Sequence, residues 1–354
     1  METGNANASA RSPWSAHHDK RLVRVHPPQS KLDGVIRLAG SKSMTNRALL
    51  MAAMAAGTSR IEGILKSDDS YWCVDALTKL GIRVDIEGET AHLEGCGGDW
   101  PAADGELYVG AAGTVARFLP ALLAAGRSGG NWTLTGSRRM SERPMAALLD
   151  ALEQLGARFE YAQRAKCLPL RLEANGLRGG TAAIAGSTSS QFISGLLLAA
   201  PYAEGGLTVR IEGEVVQRDY VQMTLDMMEL FGVKADVSDD GQSISVWADG
   251  YKANSITLEP DISACCYFWA AAALTGGRIR IEGIRCADTR QPDIEMLDVL
   301  ERMGCTVLRG DSFAEVAGTG RLHGGFTLSM KRWSDQTLTI AAMAVFADGP
   351  ITLT

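Results

Sequence analysis

The stretch Gly40–Arg47 (GSKSMTNR) places two cations and three hydroxyl side chains directly before an apolar run that reaches Ala56. We predict that a helix begins here and that Ser41 or Ser43 caps its free backbone N–H groups. These N–H groups, the positive end of the helix dipole and the side chains of Lys42 and Arg47 together form a site for an anion, and phosphate suits it best. The alternative is an ordinary capped helix with two solvated cations.

The helix behind this polar start is apolar on nearly all sides, so we expect it to be buried. Other polar stretches stand before apolar runs in the same way, at Gly110–Arg117, Ser187–Gln191, Asp261–Ser263 and Ser334–Thr337. If repeated units are arranged about a pseudo-axis, these helix starts converge and attract multiply charged anions. For Asp261 alone, an ordinary helix cap is the preferred interpretation.

The chain repeats one unit. The motif Arg-Ile-Glu-Gly occurs at 60–63, 210–213 and 280–283, and Trp-Thr-Leu-Thr-Gly takes its place at 132–136, which gives spacings of 70 to 77 residues. An amphipathic helix that ends at a glycine is predicted after each motif, at Val74–Gly81, Met145–Gly156, Val221–Gly232 and Ile294–Gly304. Alternating strands and an apolar helix follow, and a fixed period of this kind indicates repeated supersecondary units.

From this pattern we infer an α/β protein with apolar helices inside, sheets outside and three units in each globular domain. A conventional two-layer α/β sandwich remains the alternative. We predict a disordered tail over residues 1–20, a first, incomplete lobe from 21–39 and 253–354, and a second lobe of three repeated units over 40–252. The chain stops in mid-unit after the apolar run at 335–346, so the last units are expected to be missing.

Composition excludes several classes of function. The net charge of −6 argues against a nucleic-acid surface, and no apolar run approaches the length of about 20 residues that spans a bilayer. The tail has no apolar signal segment. Seven cysteines without a CxxC motif indicate reduced thiols in a cytoplasmic protein, and the five histidines have no metal-ligand spacing. We therefore do not expect a zinc site.

The combination of motifs resembles the 5-enolpyruvylshikimate-3-phosphate synthase family over residues from about 22 to 354. The resemblance rests on Gly40–Arg47, on Gly113-Thr114 with Arg117, on Arg139–Pro144, on Ser187–Phe192 and on Asp335. It implies a two-domain inside-out α/β barrel built from repeated βαβαββ units. It also implies transfer of the enolpyruvyl group of phosphoenolpyruvate to the 5-hydroxyl of shikimate 3-phosphate, by a monomer that needs no cofactor.

The resemblance implies a role for each matching position. Lys42 contacts both substrates, and Asp335 is the general base for the 5-hydroxyl. Arg143 binds the phosphate of phosphoenolpyruvate, and Gly113 leaves room for this substrate because a Cβ atom would crowd it. Six positions bind shikimate 3-phosphate: Ser43 and Arg47 at the carboxylate side, Ser189 and Ser190 at the phosphate, Gln191 between the two substrates, and Tyr220 along the pocket. Thr114 and Arg117 are supporting residues.

Three departures from the family pattern keep other hypotheses open. Ala111 replaces an asparagine, Gln217 replaces a phosphate-binding serine, and Lys331 lies in an altered segment before the base. The family's acid and several of its cations lie beyond Thr354, so we expect the 354-residue chain alone to turn over poorly. The alternatives are a non-catalytic anion-binding protein and another enolpyruvyl transferase, such as the UDP-N-acetylglucosamine enzyme, whose lysine-asparagine opening and catalytic cysteine loop are not found here. An RNA 3′-phosphate cyclase would need a histidine that has no counterpart.

Overall fold

The computed structural model describes residues 10–15, 20 and 22–354. The chain forms two compact units. The first contains Lys42–Leu258 together with the described residues of Met1–Asp19, and the second contains Lys20–Ser41 and Glu259–Thr354.

The described strands are β1 (Asp33–Ile36), β2 (Ala56–Glu62), β3 (Arg83–Glu87), β4 (Thr90–Cys96), β5 (Asp104–Tyr108), β6 (Gly130–Thr135), β7 (Arg158–Tyr161), β8 (Leu170–Ala174), β9 (Arg178–Ala185), β10 (Glu204–Glu212), β11 (Ala235–Val237), β12 (Ser243–Val246), β13 (Ser255–Thr257), β14 (Arg278–Glu282), β15 (Thr306–Arg309), β16 (Phe313–Ala317), β17 (Phe326–Leu328) and β18 (Ile351–Leu353). The α-helices are α1 (Lys42–Met54), α2 (Asp68–Lys79), α3 (Gly113–Ala125), α4 (Arg138–Ser141), α5 (Ala146–Gln154), α6 (Ser190–Ala199), α7 (Asp219–Leu230), α8 (Ile262–Thr275), α9 (Met296–Arg302) and α10 (Thr337–Ala344).

The sheets repeat one design. Three four-stranded sheets belong to the first unit, in the orders β13-β2-β4-β3, β5-β6-β8-β7 and β9-β10-β12-β11, and the second unit has β1-β14-β16-β15. In each sheet the first two strands are parallel and the other neighbouring pairs are antiparallel. Strands β17 and β18 form a further parallel pair. The predicted α/β class with repeated βαβαββ units is confirmed.

The apolar helices of the first unit are its core. In α1, every residue from Thr45 to Met54 is buried, and in α3 and α6 all residues are buried except Gly113 and Gln191. Helix α3 packs against both α1 and α6. Only the polar first turns of these helices therefore reach the surface of the core, as the sequence predicts.

The amphipathic helices end as the glycine spacing predicts. After α2, the N–H of Gly81 donates to the carbonyl of Thr78 and that of Ile82 donates to Leu77. Gly81 has a φ of +88°, which side chains rarely adopt, so glycine satisfies the last carbonyls at little steric cost. The same pair of bonds follows α5, α7 and α9, at Gly156, Gly232 and Gly304. The starts were predicted less well, because α2 begins at Asp68 and not at Val74.

The second unit buries its apolar helices only in part. Helix α8 packs against α10, β14 and β16, yet large apolar side chains of both helices stay exposed. They are Tyr267, Phe268 and Leu338, followed by Val345 and Phe346 just after α10. The expectation that every apolar helix is buried is wrong here. In the first unit α3 packs against both α1 and α6, whereas α8 packs mainly on the strands β14 and β16.

Residues 10–15 lie in the predicted disordered tail but pack on the first unit. Trp72 Nε1 donates to the carbonyl of Ala10 over 2.8 Å, and the N–H of Ser12 donates to Asp68 Oδ1 over 2.7 Å. Residues 1–9 and 16–19 of the predicted tail lie outside the described part of the chain, so the prediction of disorder has no structural outcome for them.

The second unit contains both passages of the chain that lead into and out of the first. Gly40 forms an antiparallel bridge with Pro260, and the N–H of Ser41 donates to the carbonyl of Glu259 over 2.9 Å. The N–H of Asp261 in turn donates to Ala39 over 3.0 Å. The two passages therefore run side by side.

Candidate functional site

The first turns of three buried helices meet in the first unit. Asn46, in the first turn of α1, donates through Nδ2 to Thr114 Oγ1 at the start of α3 over 2.6 Å. A Cβ atom on Gly113, the first residue of α3, would lie 3.8 Å from Oε1 of Gln191, in the first turn of α6. The predicted convergence of helix starts is therefore observed for α1, α3 and α6.

Two guanidinium groups flank Gly113. A Cβ atom added to this glycine would lie 3.2 Å from Nη1 of Arg117 and 3.2 Å from Nη1 of Arg143. Distances of this size are tighter than most van der Waals contacts, so a Cβ atom here would push these guanidinium groups back by a few tenths of an ångström. The helix N-terminus and these two cations together suit an anion.

Arg117 is buried and held in place by its own helix. Nη1 donates to the carbonyl of Gly113 over 3.0 Å, and the guanidinium lies 6.0 Å from the centre of the Phe192 ring. The pKa of Arg117 is lowered to about 9, chiefly by burial and in addition by the positive charge of Arg143. Arg117 remains protonated at neutral pH, so the pair keeps two like charges whose repulsion a bound anion would relieve.

Lys42 begins α1 and forms an ion pair with Asp69 in the first turn of α2. Lys42 Nζ lies 3.6 Å from Asp69 Oδ2, and the two side chains are 49% and 21% exposed. Burial raises the pKa of Asp69, whereas the charges of Lys42 and Arg143 lower it. Asp69 therefore lies within the electrostatic reach of two predicted substrate-binding cations.

The start of α6 carries three of the predicted residues. Ser189 is the helix N-cap and accepts from the N–H of Gln191 over 3.3 Å. Ser190 is buried at 1% exposure, while Ser189 and Gln191 are half-buried. The structure thus brings Ser189, Ser190 and Gln191 together with Gly113 and its two arginines.

Arg47 is more deeply buried than the sequence predicts. It is 1% exposed and donates to Thr224 Oγ1, to the carbonyl of Ser43, to Ser194 Oγ and to the carbonyl of Tyr220, over 2.8 to 3.3 Å. Burial lowers its pKa to about 10. The predicted contact with a carboxylate stays a prediction, and the guanidinium is meanwhile engaged inside the core.

Two of the departures lie near these groups. Gln217 has a φ of +53°, a backbone conformation that residues other than glycine adopt at some cost in energy. Its carbonyl accepts from the N–H of Tyr220, which is half-buried at the start of α7. Ala111 is exposed in the turn before α3. Lys331, the third departure, is exposed in the second unit.

The second unit places Asp335 in a 3-10 turn over Ser334–Gln336 that leads into α10. Gln336 is buried, and its Nε2 donates to the carbonyl of Ser263 in α8 over 3.3 Å. Ser263 Oγ donates to Asp293 Oδ2 over 3.0 Å. The start of α8 and the turn that carries Asp335 are thus joined through one serine.

Asp293 is a buried carboxyl group at 1% exposure beside this turn. Its Oδ1 has no hydrogen-bond partner among the residues that the structure describes. The pKa of Asp293 is raised to about 6. Burial is the largest cause, the charges of Asp335 and Asp261 add to the rise, and hydrogen bonds from Gln336 and Ser263 oppose it. Asp261 caps α8 by accepting from the N–H of Ala264 over 3.0 Å, so it is the ordinary helix cap that the sequence predicts.

Comparison with known proteins supplies the identification. The family model for EPSP synthase (3-phosphoshikimate 1-carboxyvinyltransferase) matches residues 27–354. The chain belongs to the EPSP synthase family. The 3-phosphoshikimate 1-carboxyvinyltransferase 2 of Halalkalibacterium halodurans is 50% identical over 346 residues, which cover 98% of this chain and 76% of that relative. The chloroplastic 3-phosphoshikimate 1-carboxyvinyltransferase of Brassica napus is 40% identical over 352 residues, which cover 95% of this chain and 68% of that relative.

A solved structure agrees. The EPSP synthase of Acinetobacter baumannii superposes with a TM-score of 0.74 at 25% identity, over 93% of this chain and 74% of that one. The family resemblance and fold class predicted from the sequence are confirmed. The expectation that the last units are missing stays a prediction.

Two candidate residues for an EPSP synthase site escaped the sequence analysis. Asp69 lies in the first turn of α2, which is capped reciprocally by Ser67 and Ser70. The sequence signal for this capping box is weak, because its third helical position holds serine and not glutamate or glutamine. Asp293 follows a proline in a short turn, and nothing local shows that it would be buried beside Asp335.

In the described ranges, no group of three or more histidine, cysteine, aspartate or glutamate residues could hold a metal ion. All seven cysteines are free thiols. Within the same ranges, no helix has the length and apolar character that crossing a membrane requires.

Proposed function

We infer that this chain transfers the enolpyruvyl group of phosphoenolpyruvate to the 5-hydroxyl of shikimate 3-phosphate and releases phosphate, a step of the shikimate pathway to aromatic amino acids. The match to the EPSP synthase family over residues 27–354 carries this conclusion. Both substrates are multiply charged anions, and the first unit offers helix starts, serines and cations at one place.

Phosphoenolpyruvate is proposed to bind beside Gly113. Arg143 would hold its phosphate, and Lys42 would reach both substrates from the start of α1. The 3.2 Å spacing around the missing Cβ of Gly113 supports this placement, because only glycine leaves the arginines where they are. Arg117 would be a supporting residue, since its bond to the Gly113 carbonyl holds a second cation beside this glycine.

Shikimate 3-phosphate is proposed to bind at the start of α6, with Ser189 and Ser190 at its phosphate and Gln191 between the two substrates. Ser43 and Tyr220 would line the remainder of this subsite. Arg47 would act by positioning, since its guanidinium bonds to the carbonyls of both Ser43 and Tyr220. It therefore fixes the backbone of two substrate-binding positions.

Asp335 is proposed as the general base. It would accept the proton of the 5-hydroxyl while the hydroxyl oxygen bonds to C2 of phosphoenolpyruvate and a proton is added to the methylene carbon. The tetrahedral intermediate then loses a proton from the new methyl group and expels phosphate, so the enol ether is formed without net oxidation. Exposure of Asp335 at the surface of its unit supports access to the substrate.

The same proposal includes a monomer in the cytoplasm. All the proposed ligands come from one chain, so no second copy is needed to supply a residue. Size-exclusion chromatography with light scattering tests the monomer, and a mass near twice 37.7 kDa would contradict it.

Release of phosphate from both substrates together tests the activity. We expect phosphate only when both substrates are present, and a loss of at least about 100-fold in Asp335→Asn, whose fold should be intact because the side chain is exposed. Calorimetry should show that shikimate 3-phosphate binds more weakly to Lys42→Ala. A folded chain that neither binds shikimate 3-phosphate nor releases phosphate would overturn the proposal.

One observation favours a second candidate, a protein that binds these anions without turnover. Gln217 stands where the family has a phosphate-binding serine, and its backbone has a positive φ. Binding of shikimate 3-phosphate with no release of phosphate by any preparation would support this candidate.

A further inference from the structure

We propose that Asp69 is an internal counter-ion that competes with the substrate phosphate for Lys42, and that it thereby sets the affinity of the first unit for anions. The inference rests on the proposed function, since it concerns the same cations. It adds a residue to which the sequence analysis gave no role.

The geometry of the pair supports competition. Lys42 Nζ lies 3.6 Å from Asp69 Oδ2, which exceeds the 2.7 to 2.9 Å typical of a charge-assisted hydrogen bond. Both side chains keep contact with solvent, at 49% and 21% exposure. The contact between Lys42 and Asp69 is therefore long and solvated enough for a phosphate, which offers several acceptor oxygens, to replace this carboxylate.

The adjacent carboxylate differs in its contacts. Asp68 accepts from the N–H of Ser12 over 2.7 Å, a short bond that directs its side chain to residues 10–15 and not to Lys42. Both aspartates lie in the first turn of α2, behind the cap formed by Ser67 and Ser70. Asp68 and Asp69 thus share the helix dipole and differ in their partners, which makes Asp68 a matched control.

The charges around Asp69 make the competition depend on pH. It faces Lys42 from α1 and Arg143 from the loop after α4, with Asp68 beside it and the buried thiol of Cys73 one turn along. Burial raises the pKa of Asp69, and the two cations oppose this rise. Protonation at lower pH removes the competing charge, so affinity for an anion should increase as the pH falls.

Sulfate is a suitable probe because it resembles phosphate but does not titrate in this range. We expect Asp69→Asn to bind sulfate about three- to tenfold more tightly than the natural chain at pH 7.5 by calorimetry, and Asp68→Asn to differ less than about twofold. The natural chain should bind sulfate more tightly at pH 5 than at pH 7.5, and Asp69→Asn should lose this dependence.

Two results would overturn the inference. The first is that a folded Asp69→Asn binds sulfate as weakly as the natural chain or more weakly. Asp69 would then orient Lys42 or have no effect on anion binding. The second is sulfate affinity of the natural chain that does not change with pH, a measurement that holds even if the variant fails to fold. Phosphate release from both substrates is measured separately, so failure of the proposed function is distinguishable from failure of this inference.

Discussion

Asn46 donates a hydrogen bond to Thr114 across 2.6 Å, and both side chains are buried, at 0% and 5% exposure. This bond joins the first turns of α1 and α3, which carry Lys42 and Gly113. Oδ1 of Asn46 is itself buried without a hydrogen-bond partner among the described residues. The link between the two helix starts therefore depends on one donor.

Asn46→Ala should lower the free energy of unfolding by about 1–3 kcal/mol, because it leaves the Thr114 hydroxyl buried without its donor. It should also weaken anion binding, since the two helix starts are no longer tied together. Urea denaturation and calorimetry measure the two effects. Gln222→Ala, which removes an exposed side chain bonded to Asp226, should change stability by less than about 0.5 kcal/mol. A similar loss in both variants would contradict the role of Asn46.

Gly113→Ala should raise the KM for phosphoenolpyruvate at least about tenfold while changing that for shikimate 3-phosphate little. The added methyl would sit 3.2 Å from Nη1 of both Arg117 and Arg143 and push at least one of them away from the anion. Steady-state kinetics with each substrate varied in turn provide the measurement. Equal changes for the two substrates would place Gly113 elsewhere in the reaction.

Arg143→Gln should weaken phosphoenolpyruvate binding more than shikimate 3-phosphate binding, by about 10- to 100-fold for the loss of a charged contact to phosphate. Arg139→Gln is the matched control. Arg139 lies in the same segment, is 70% exposed and bonds to Glu142. If both variants lost affinity to the same extent, the effect would reflect net charge and not a contact by Arg143.

Asp293→Asn should change how stability depends on pH. The pKa of Asp293 is raised to about 6 in the fold, against about 3.9 in an unfolded chain, so the folded state binds the proton more tightly. Its contribution to stability is complete below pH 4 and is lost as the pH rises through 6, a change of about 2–3 kcal/mol. Denaturation from pH 4 to pH 7 should show that the variant gains stability over the natural chain by this amount. A constant difference would exclude a raised pKa.

The sequence predicts the repeated elements well because local signals specify them. Gly81 and its three counterparts end their helices through bonds within a few residues, so a glycine after an apolar stripe is enough to place them. The polar starts of α1, α3 and α6 are local in the same sense. Their convergence follows once the repeats pack around one core.

Arg47 shows what local sequence cannot reveal. Its partners Ser194 and Thr224 lie 147 and 177 residues away along the chain, and they turn a predicted surface cation into a buried one. Asp69 and Asp293 escaped for the same reason, since their significance comes from Lys42 and Asp335 on other elements. The exposed Tyr267 and Leu338 are the converse case, because apolar character predicts burial only where a neighbouring element supplies cover.

The bridge between Gly40 and Pro260 has a topological consequence. The segment that enters the first unit and the segment that leaves it are hydrogen-bonded neighbours, so residues 42–258 form a single insertion in the second unit. Excising them and closing the gap from Ser41 to Glu259 would require a turn of only a few residues. Such an insertion is the arrangement expected if one ancestral module was inserted whole into a loop of another.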